Sequence, residues 1–191
     1  MKTLCLYYTR TNTTKAAMEH LAKLPYLMWE NQFNLFDSHD VSRLHNNPAV
    51  HPEEYRGAVI FQFMLTGAAS IYYGDEAGTD GGEDPFNRGC YPWGKEDDEL
   101  IEHYRFLGRL RKEHSVFKDG EFVPVSDALG CVAYERRNGS EAIMTVANRN
   151  NHSIVYVLPE EGYASLTGET VRGRELYLEK ETAAILVRNY G

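Results

Sequence analysis

Apolar side chains change their spacing once along this chain, near Ser115. Before that point they recur at helical intervals between short apolar runs, and after it they alternate. Residues 3–8 form a short apolar and aromatic run that ends in a Thr-rich turn over residues 9–14. Ala17, Met18, Leu21 and Leu24 then carry helical spacing until Pro25 stops it. Phe33 to Phe36 reads as a second strand that runs straight into Asp37-Ser-His-Asp40. Pro52, Glu53 and Glu54 suit a first helical turn, and Tyr55 to Leu65 is apolar nearly all round, which predicts a buried helix closed by Gly67. Ala69 to Tyr73 reads as a buried strand, and Gly74 to Glu96 as a long Gly/Pro/Asp-rich loop of functional length. Asp97 to Glu99 open a last helix whose Leu100, Ile101, Tyr104, Leu107 and Leu110 share one face, with Lys112 and His114 near its end. The unit from Phe33 to His114 is therefore strand-helix-strand-helix.

The alternating part offers strands at Glu121–Val125, Cys131–Arg136, Glu141–Asn148, Ile154–Leu158, Glu175–Leu178 and Ala183–Val187. Asn138-Gly139 between two of them is a hairpin signal, because both residues accept positive φ. The fold class expected is α/β followed by all-β. Composition is that of an ordinary globular protein, 42% apolar and 25% charged over 191 residues. A net charge of -8 argues against a surface that neutralises phosphates, so nucleic acid is excluded as a partner. No run reaches the roughly 18 apolar residues of a membrane span, and the N-terminal apolar stretch is too short for a secretory signal, so no membrane contact and a cytoplasmic location are expected. The three cysteines, Cys5, Cys90 and Cys131, lack metal or disulfide spacing and are expected as buried thiols with no metal site.

Two clusters carry candidate chemistry. In Ser38-His39-Asp40 a carboxylate and an imidazole stand at a strand's end, with Arg43 three residues on, able to reach back and keep Asp40 ionised. The plainer alternative is a cap or a surface pair. Tyr72-Tyr73-Gly74-Asp75-Glu76, followed by Glu83, Asp84 and Arg88, sets rings, acids and a guanidinium around one loop, the groups that a pyranose with an apolar face and a hydroxyl rim needs. The alternative is a solvated acidic loop with both tyrosines in the core.

These residues carry a resemblance. Phe33-Asn-Leu-Phe-Asp-Ser-His-Asp40 resembles the strand-seven motif of the alpha-amylase family of glycoside hydrolases, nearest its neopullulanase and cyclomaltodextrinase branch. Ile71-Tyr-Tyr-Gly-Asp-Glu76 with Gly81-Gly-Glu-Asp-Pro-Phe-Asn-Arg88 resembles the strand-eight motif and the loop after it. The resemblance implies a partial (β/α)8 TIM barrel, its last strands and helices over residues 31–114, then a C-terminal antiparallel β-sandwich over 115–191. It implies that Asp40 stabilises an oxocarbenium-like transition state, that His39 and Arg43 contact the sugar, and that Asp84 and Arg88 grip its neighbour. Ala69 stands where the family usually has Pro.

A complete barrel takes about 250 residues, and retaining hydrolysis needs two carboxyl groups about 5–5.5 Å apart. In the family both come from strands that precede the motifs seen here. The expectation is thus a truncated or chimeric glycosidase of α-1,4-glucans (maltodextrin, pullulan, cyclodextrin), inactive alone, that associates with itself or with a complementary barrel half. Were the missing acids in this chain, Asp75, Glu76, Asp80 and Glu83 are the candidates. A non-catalytic carbohydrate-binding module is the alternative. Residues 1–15 also resemble the opening strand and phosphate loop of a flavodoxin, which would make residues 1–30 a flavodoxin-like start with Thr9, Thr11, Asn12, Thr13 and Thr14 as FMN phosphate ligands. No cofactor is otherwise expected.

Overall fold

The computed structural model describes Lys23, Met28, residues 31–126 and residues 130–190. Lys23 and Met28 are helical. The expected first strand, its Thr-rich loop and most of its helix lie outside the described residues.

The first half is a parallel β–α–β unit with a second helix. Strand β1 (Phe33–Asn34) pairs in parallel with β2 (Ala68–Ala69), and helix α1 (Pro52–Met64) forms the crossover between them. Both strands are shorter than the apolar runs Phe33–Phe36 and Ala69–Tyr73, because the ladder between them ends at Asn34 and Ala69 and the chain bends at Phe36. Helix α1 starts as the sequence predicts: Pro52 occupies its first turn, and the Glu54 carboxylate accepts from the His51 N–H at 3.0 Å. Gly67 turns the chain back at φ +84°, where a β-carbon would stand 2.4 Å from the Gln32 carbonyl oxygen. Helix α2 (Asp98–Glu113) is capped by Asp97, whose carboxylate accepts from Leu100 N–H at 2.9 Å. A short helix α3 (Val116–Asp119) leads into the strands.

Those strands form two antiparallel sheets. The larger contains β3 (Glu121–Ser126), β4 (Cys131–Arg137), β5 (Glu141–Asn148), β7 (Ala164–Ser165) and β10 (Ala183–Asn189), in the order β3-β4-β5-β10-β7. The smaller holds β6 (Ile154–Val157), β8 (Val171–Arg172) and β9 (Glu175–Leu178) in the order β6-β9-β8. The two-residue strands β7 and β8 have too few positions to show alternation and were not expected. The β4–β5 hairpin is present for a different reason from the one its Asn-Gly signal suggests. Neither Asn138 nor Gly139 takes a positive φ; the Asn138 carboxamide oxygen accepts from the N–H groups of Ser140 and Glu141 at 3.0 and 3.2 Å.

The larger sheet is a middle layer. One face packs Val132, Tyr134, Ile143, Ala147, Ala183 and Ile185 against α1 and α2; the other packs Ala133, Met144, Val146, Ala184 and Leu186 against Tyr156, Leu158, Leu176 and Leu178. Strand β5 is buried along its whole length for that reason. Arg111 of α2 donates to the carbonyls of Phe63, Leu65 and Gly67, which the end of α1 leaves open. Cys131 is buried, and burial pushes its thiol up to about 11, whereas Cys90 is exposed on the loop, contrary to expectation.

Glu141 joins the helices to the sheet. Its carboxylate lies 2.6 Å from His114 Nδ1 and accepts from Ser115 Oγ at 3.1 Å and from Val116 N–H at 3.4 Å. Burial works to raise its pKa, but these three partners together outweigh it and hold the carboxyl below its ordinary value of 4.5. A depressed carboxylate contributes stability above its unfolded pKa and loses it as pH falls through the folded one. Glu141→Gln should therefore cost about 1–3 kcal/mol at pH 7 and progressively less below pH ~4.5 in urea melts. A gap unchanged from pH 7 to 3.5 would show that the charge contributes nothing.

Candidate functional site

Because β1 and β2 are adjacent and parallel, the segments that follow them emerge side by side, the usual place for chemistry in α/β folds. The first segment is the 37–46 loop and the second the 74–89 loop, each with one short 3-10 turn at Leu44–Asn46 and Asp75–Ala77, and another at Phe86–Arg88.

His39 and Asp40 are exposed, with His39 Nε2 3.2 Å from the Asp40 carboxylate. Arg88 and Asp84, half-exposed, pair at 2.6 Å, and Arg88 Nε donates to the His39 carbonyl at 3.3 Å. Four of the predicted site residues, His39, Asp40, Asp84 and Arg88, thus share one rim. Thr9, Thr11, Asn12, Thr13 and Thr14 lie outside the described residues.

Arg43 does something else. Its side chain has no exposed surface, and it bonds Asp75 at 2.6 Å instead of reaching back to Asp40. A direct hold on a sugar is not available to a guanidinium sealed in this way. Three residues of chain separate it from Asp40, but the backbone after Asp40 turns inward, and Arg43 N–H donates to the Gly81 carbonyl at 3.1 Å. The rings of Tyr72 and Tyr73 cover its guanidinium, at 4.5 and 5.1 Å from their centroids. The two tyrosines are therefore a lid over an ion pair, with Tyr73 exposed and its hydroxyl on the Gly89 carbonyl at 2.7 Å, rather than core residues.

Beneath the rim lies a second carboxyl pair. Asp37 is buried and accepts from Leu44 N–H at 2.9 and 3.1 Å, and its carboxyl interacts with that of Asp75. Burial, then the neighbouring Asp37, pushes Asp75 up to about 8 against the pull of Arg43; burial likewise raises Asp37. Both carboxyls are closed to solvent, so the pair cannot meet a glycosidic bond. Of the other candidate acids, Glu76 accepts from Gly74 N–H at 3.0 Å, exposed Asp80 accepts from Asn46 at 3.1 Å, and Glu83 is exposed.

One residue the sequence reading passed over sits at the centre. Asn87 has no exposed surface, and its carboxamide donates to the carbonyls of His39 and Val41 at 2.9 and 2.8 Å, with that of Ser38 at 3.4 Å. Gly81 allows this approach: a β-carbon there would stand 2.7 Å from the Asn87 Cα.

No protein-family model matches the chain. Known proteins do. It is 32% identical over 178 residues to a cyclomaltodextrinase of Geobacillus thermopakistaniensis (strain MAS1), a match that covers 91% of this chain and 30% of that one. It superposes on the structure of a cyclomaltodextrinase with a TM-score of 0.71 at 28% identity, over 84% of this chain and 30% of the other. The chain belongs to the alpha-amylase family. An intracellular maltogenic amylase of Bacillus subtilis is a further relative, 32% identical over 127 residues, 64% of this chain and 22% of its own. This alpha-amylase-family chain spans no more than about a third of the length of the curated relatives it matches. The match with the Geobacillus protein takes in nine-tenths of the chain and so runs into residues 1–30, and the flavodoxin likeness of residues 1–15 finds no support in these comparisons.

Proposed function

We propose that this chain is the α-glucan-handling C-terminal part of an alpha-amylase-family glycosidase. In this reading residues 31–114 are the last strands and helices of a (β/α)8 barrel, and residues 115–191 are the C-terminal β-sandwich. Asp40 stabilises the oxocarbenium-like charge, His39 hydrogen-bonds the sugar at the cleaved position, and Asp84 with Arg88 holds the next sugar. Arg43 acts from beneath, by fixing the loop on which they stand. The observation that carries this is the shared rim: Arg88 Nε reaches the carbonyl of His39, so groups 49 residues apart in sequence face one ligand.

The relatives' names, cyclomaltodextrinase and maltogenic amylase, support an α-glucan as the substrate class. The name of the Bacillus subtilis relative supports a cytoplasmic location, and among the described residues no helix is long and apolar enough to cross a membrane. The chain is inactive by itself in this reading, since hydrolysis with retention needs a nucleophile and an acid/base carboxyl about 5–5.5 Å apart, and Asp40 is neither of them. The close Asp37–Asp75 pair is sealed away and serves structure. Phe33, Val41, Ile71 and Tyr73 are exposed about β1 and the segments after the two strands. Their exposure supports association with a second copy or with a complementary barrel half, which size-exclusion chromatography reads directly.

The test is calorimetric titration with maltotriose, beside reducing-sugar release from maltotriose, pullulan and cyclomaltodextrin. Binding without turnover is expected, and Asp84→Ala or Arg88→Ala should weaken it about tenfold. Turnover by the pure chain would show that the acids are present after all. Equal affinity in both variants would move the sugar elsewhere.

A further inference from the structure

One buried side chain ties the two loops together directly under the turn of His39 and Asp40, and no sugar would touch it. Asn87 donates both protons of its amide to the turn that carries His39 and Asp40: Val41 O at 2.8 Å and His39 O at 2.9 Å, with Ser38 O at 3.4 Å beyond them. Three carbonyls that converge on one point repel one another unless a donor lies between them. A neutral amide nitrogen is that donor. The other end of the amide, Oδ1, is buried and finds no hydrogen-bond partner among the described residues. The side chain is therefore used only for its NH₂ group.

Its surroundings fix it in place. Gly81 leaves no room for a β-carbon between itself and Asn87, and the Gly81 backbone is held on both sides, its N–H on Asn46 Oδ1 at 2.7 Å and its carbonyl on Arg43 N–H at 3.1 Å. Arg88, the next residue, is half-exposed and reaches His39 O only at 3.3 Å. His39 and Asp40 for their part are exposed side chains whose own contact is with each other. Their direction is set by the backbone under them, and the buried side chain that holds the carbonyls of Ser38, His39 and Val41 is Asn87.

We infer that Asn87 is the positioning residue of this site: its amide orients the turn of His39 and Asp40 toward the sugar without touching the sugar. The inference rests on the glucan reading above for what the turn is aimed at, and on the structure alone for what aims it.

The first measurement uses the unaltered chain. Both Asn87 Nδ2 protons should exchange with solvent at least tenfold more slowly than those of exposed Asn47 or Asn151, and Asn87 protons exchanging at the rate of those two would overturn the inference. The second compares Asn87→Ala and Asn87→Asp with the parent, with Phe86→Ala, an exposed neighbour, as control. In Asn87→Ala the amides of residues 38–42 should exchange at least tenfold faster and the His39 ring resonances should move, while the amides of β5 and β10 keep their protection. Asn87→Asp, which turns an acceptor toward three carbonyls, should do more of the same. Maltotriose affinity should fall about tenfold in Asn87→Ala and stay unchanged in Phe86→Ala. Unchanged exchange at residues 38–42 with unmoved His39 resonances would overturn the positioning role. If the parent chain fails to bind maltotriose, the glucan reading falls, and the exchange data still decide for or against Asn87.

Discussion

Arg43→Met should destabilise the chain by about 3–5 kcal/mol at neutral pH, the cost of leaving the negative charge of the buried Asp37–Asp75 pair without its cation. Methionine has similar length and fills the space under Tyr72 and Tyr73, so the loss reports the charge more than a cavity. What remains is a pair of buried carboxyls, Asp37 and Asp75, with no cation between them and solvent. The pH dependence carries the sign. Asp75 binds its proton more tightly folded, at about 8, than its ordinary 3.8. A raised carboxyl contributes stability that is whole below the lower value and is lost as pH rises through the upper one. Without Arg43 the proton is held to still higher pH, and ionising the pair costs more. The gap between parent and variant in urea melts should therefore widen from pH 5 to pH 9. Asp75→Asn removes the titrating group and should flatten that slope while costing less. A constant gap, or one under about 1 kcal/mol, would mean that the Arg43–Asp75 contact is not the buried pair described.

The helices of this chain were legible because each carried its signals within a few residues. Pro52, Glu53 and Glu54 opened α1 and its all-round apolarity announced burial; Asp97 capped α2. Strands β4, β5, β9 and β10 were legible from their apolar content, and the hairpin between β4 and β5 was found from a signal whose stated mechanism, positive φ, is not used. What failed was either too short or too far apart in sequence. A two-residue strand such as β7 has no period to read. Arg43 was assigned to Asp40 because three residues separate them, whereas its partner Asp75 lies 32 residues on, and only the pairing of β1 with β2 brings it near. Asn87 looked like one more turn-former in a loop of Gly, Pro and Asp. The signal that could have raised it is the pair of glycines before it, since Gly81 marks a close backbone approach. The rim itself, His39 and Asp40 with Asp84 and Arg88, was found by likeness of motif; composition and spacing alone left it level with a solvated loop.

Two neighbours on β5 test whether helices and sheets fold as one unit. Ile143 faces α1 and α2, and Met144, one residue on, faces the smaller sheet; both are essentially without exposed surface. Because successive side chains of a strand point to opposite faces, one backbone holds both cores. Cutting either side chain to alanine opens a cavity in a different layer, at about 2–5 kcal/mol each. If β5 couples the layers, Ile143→Ala and Met144→Ala should each lower one and the same cooperative transition, seen alike by far-UV circular dichroism and by the fluorescence of Trp29 and Trp93, both of which precede α2 in the chain. The double variant should then cost more than either alone, with any departure from additivity small because the side chains do not meet. Separate transitions, with Ile143→Ala moving only one and Met144→Ala only the other, would mean that the helical unit and the sheet pair unfold independently. The site would then rest on the helical unit alone, since no residue of the 37–46 and 74–89 loops belongs to the core formed with the smaller sheet.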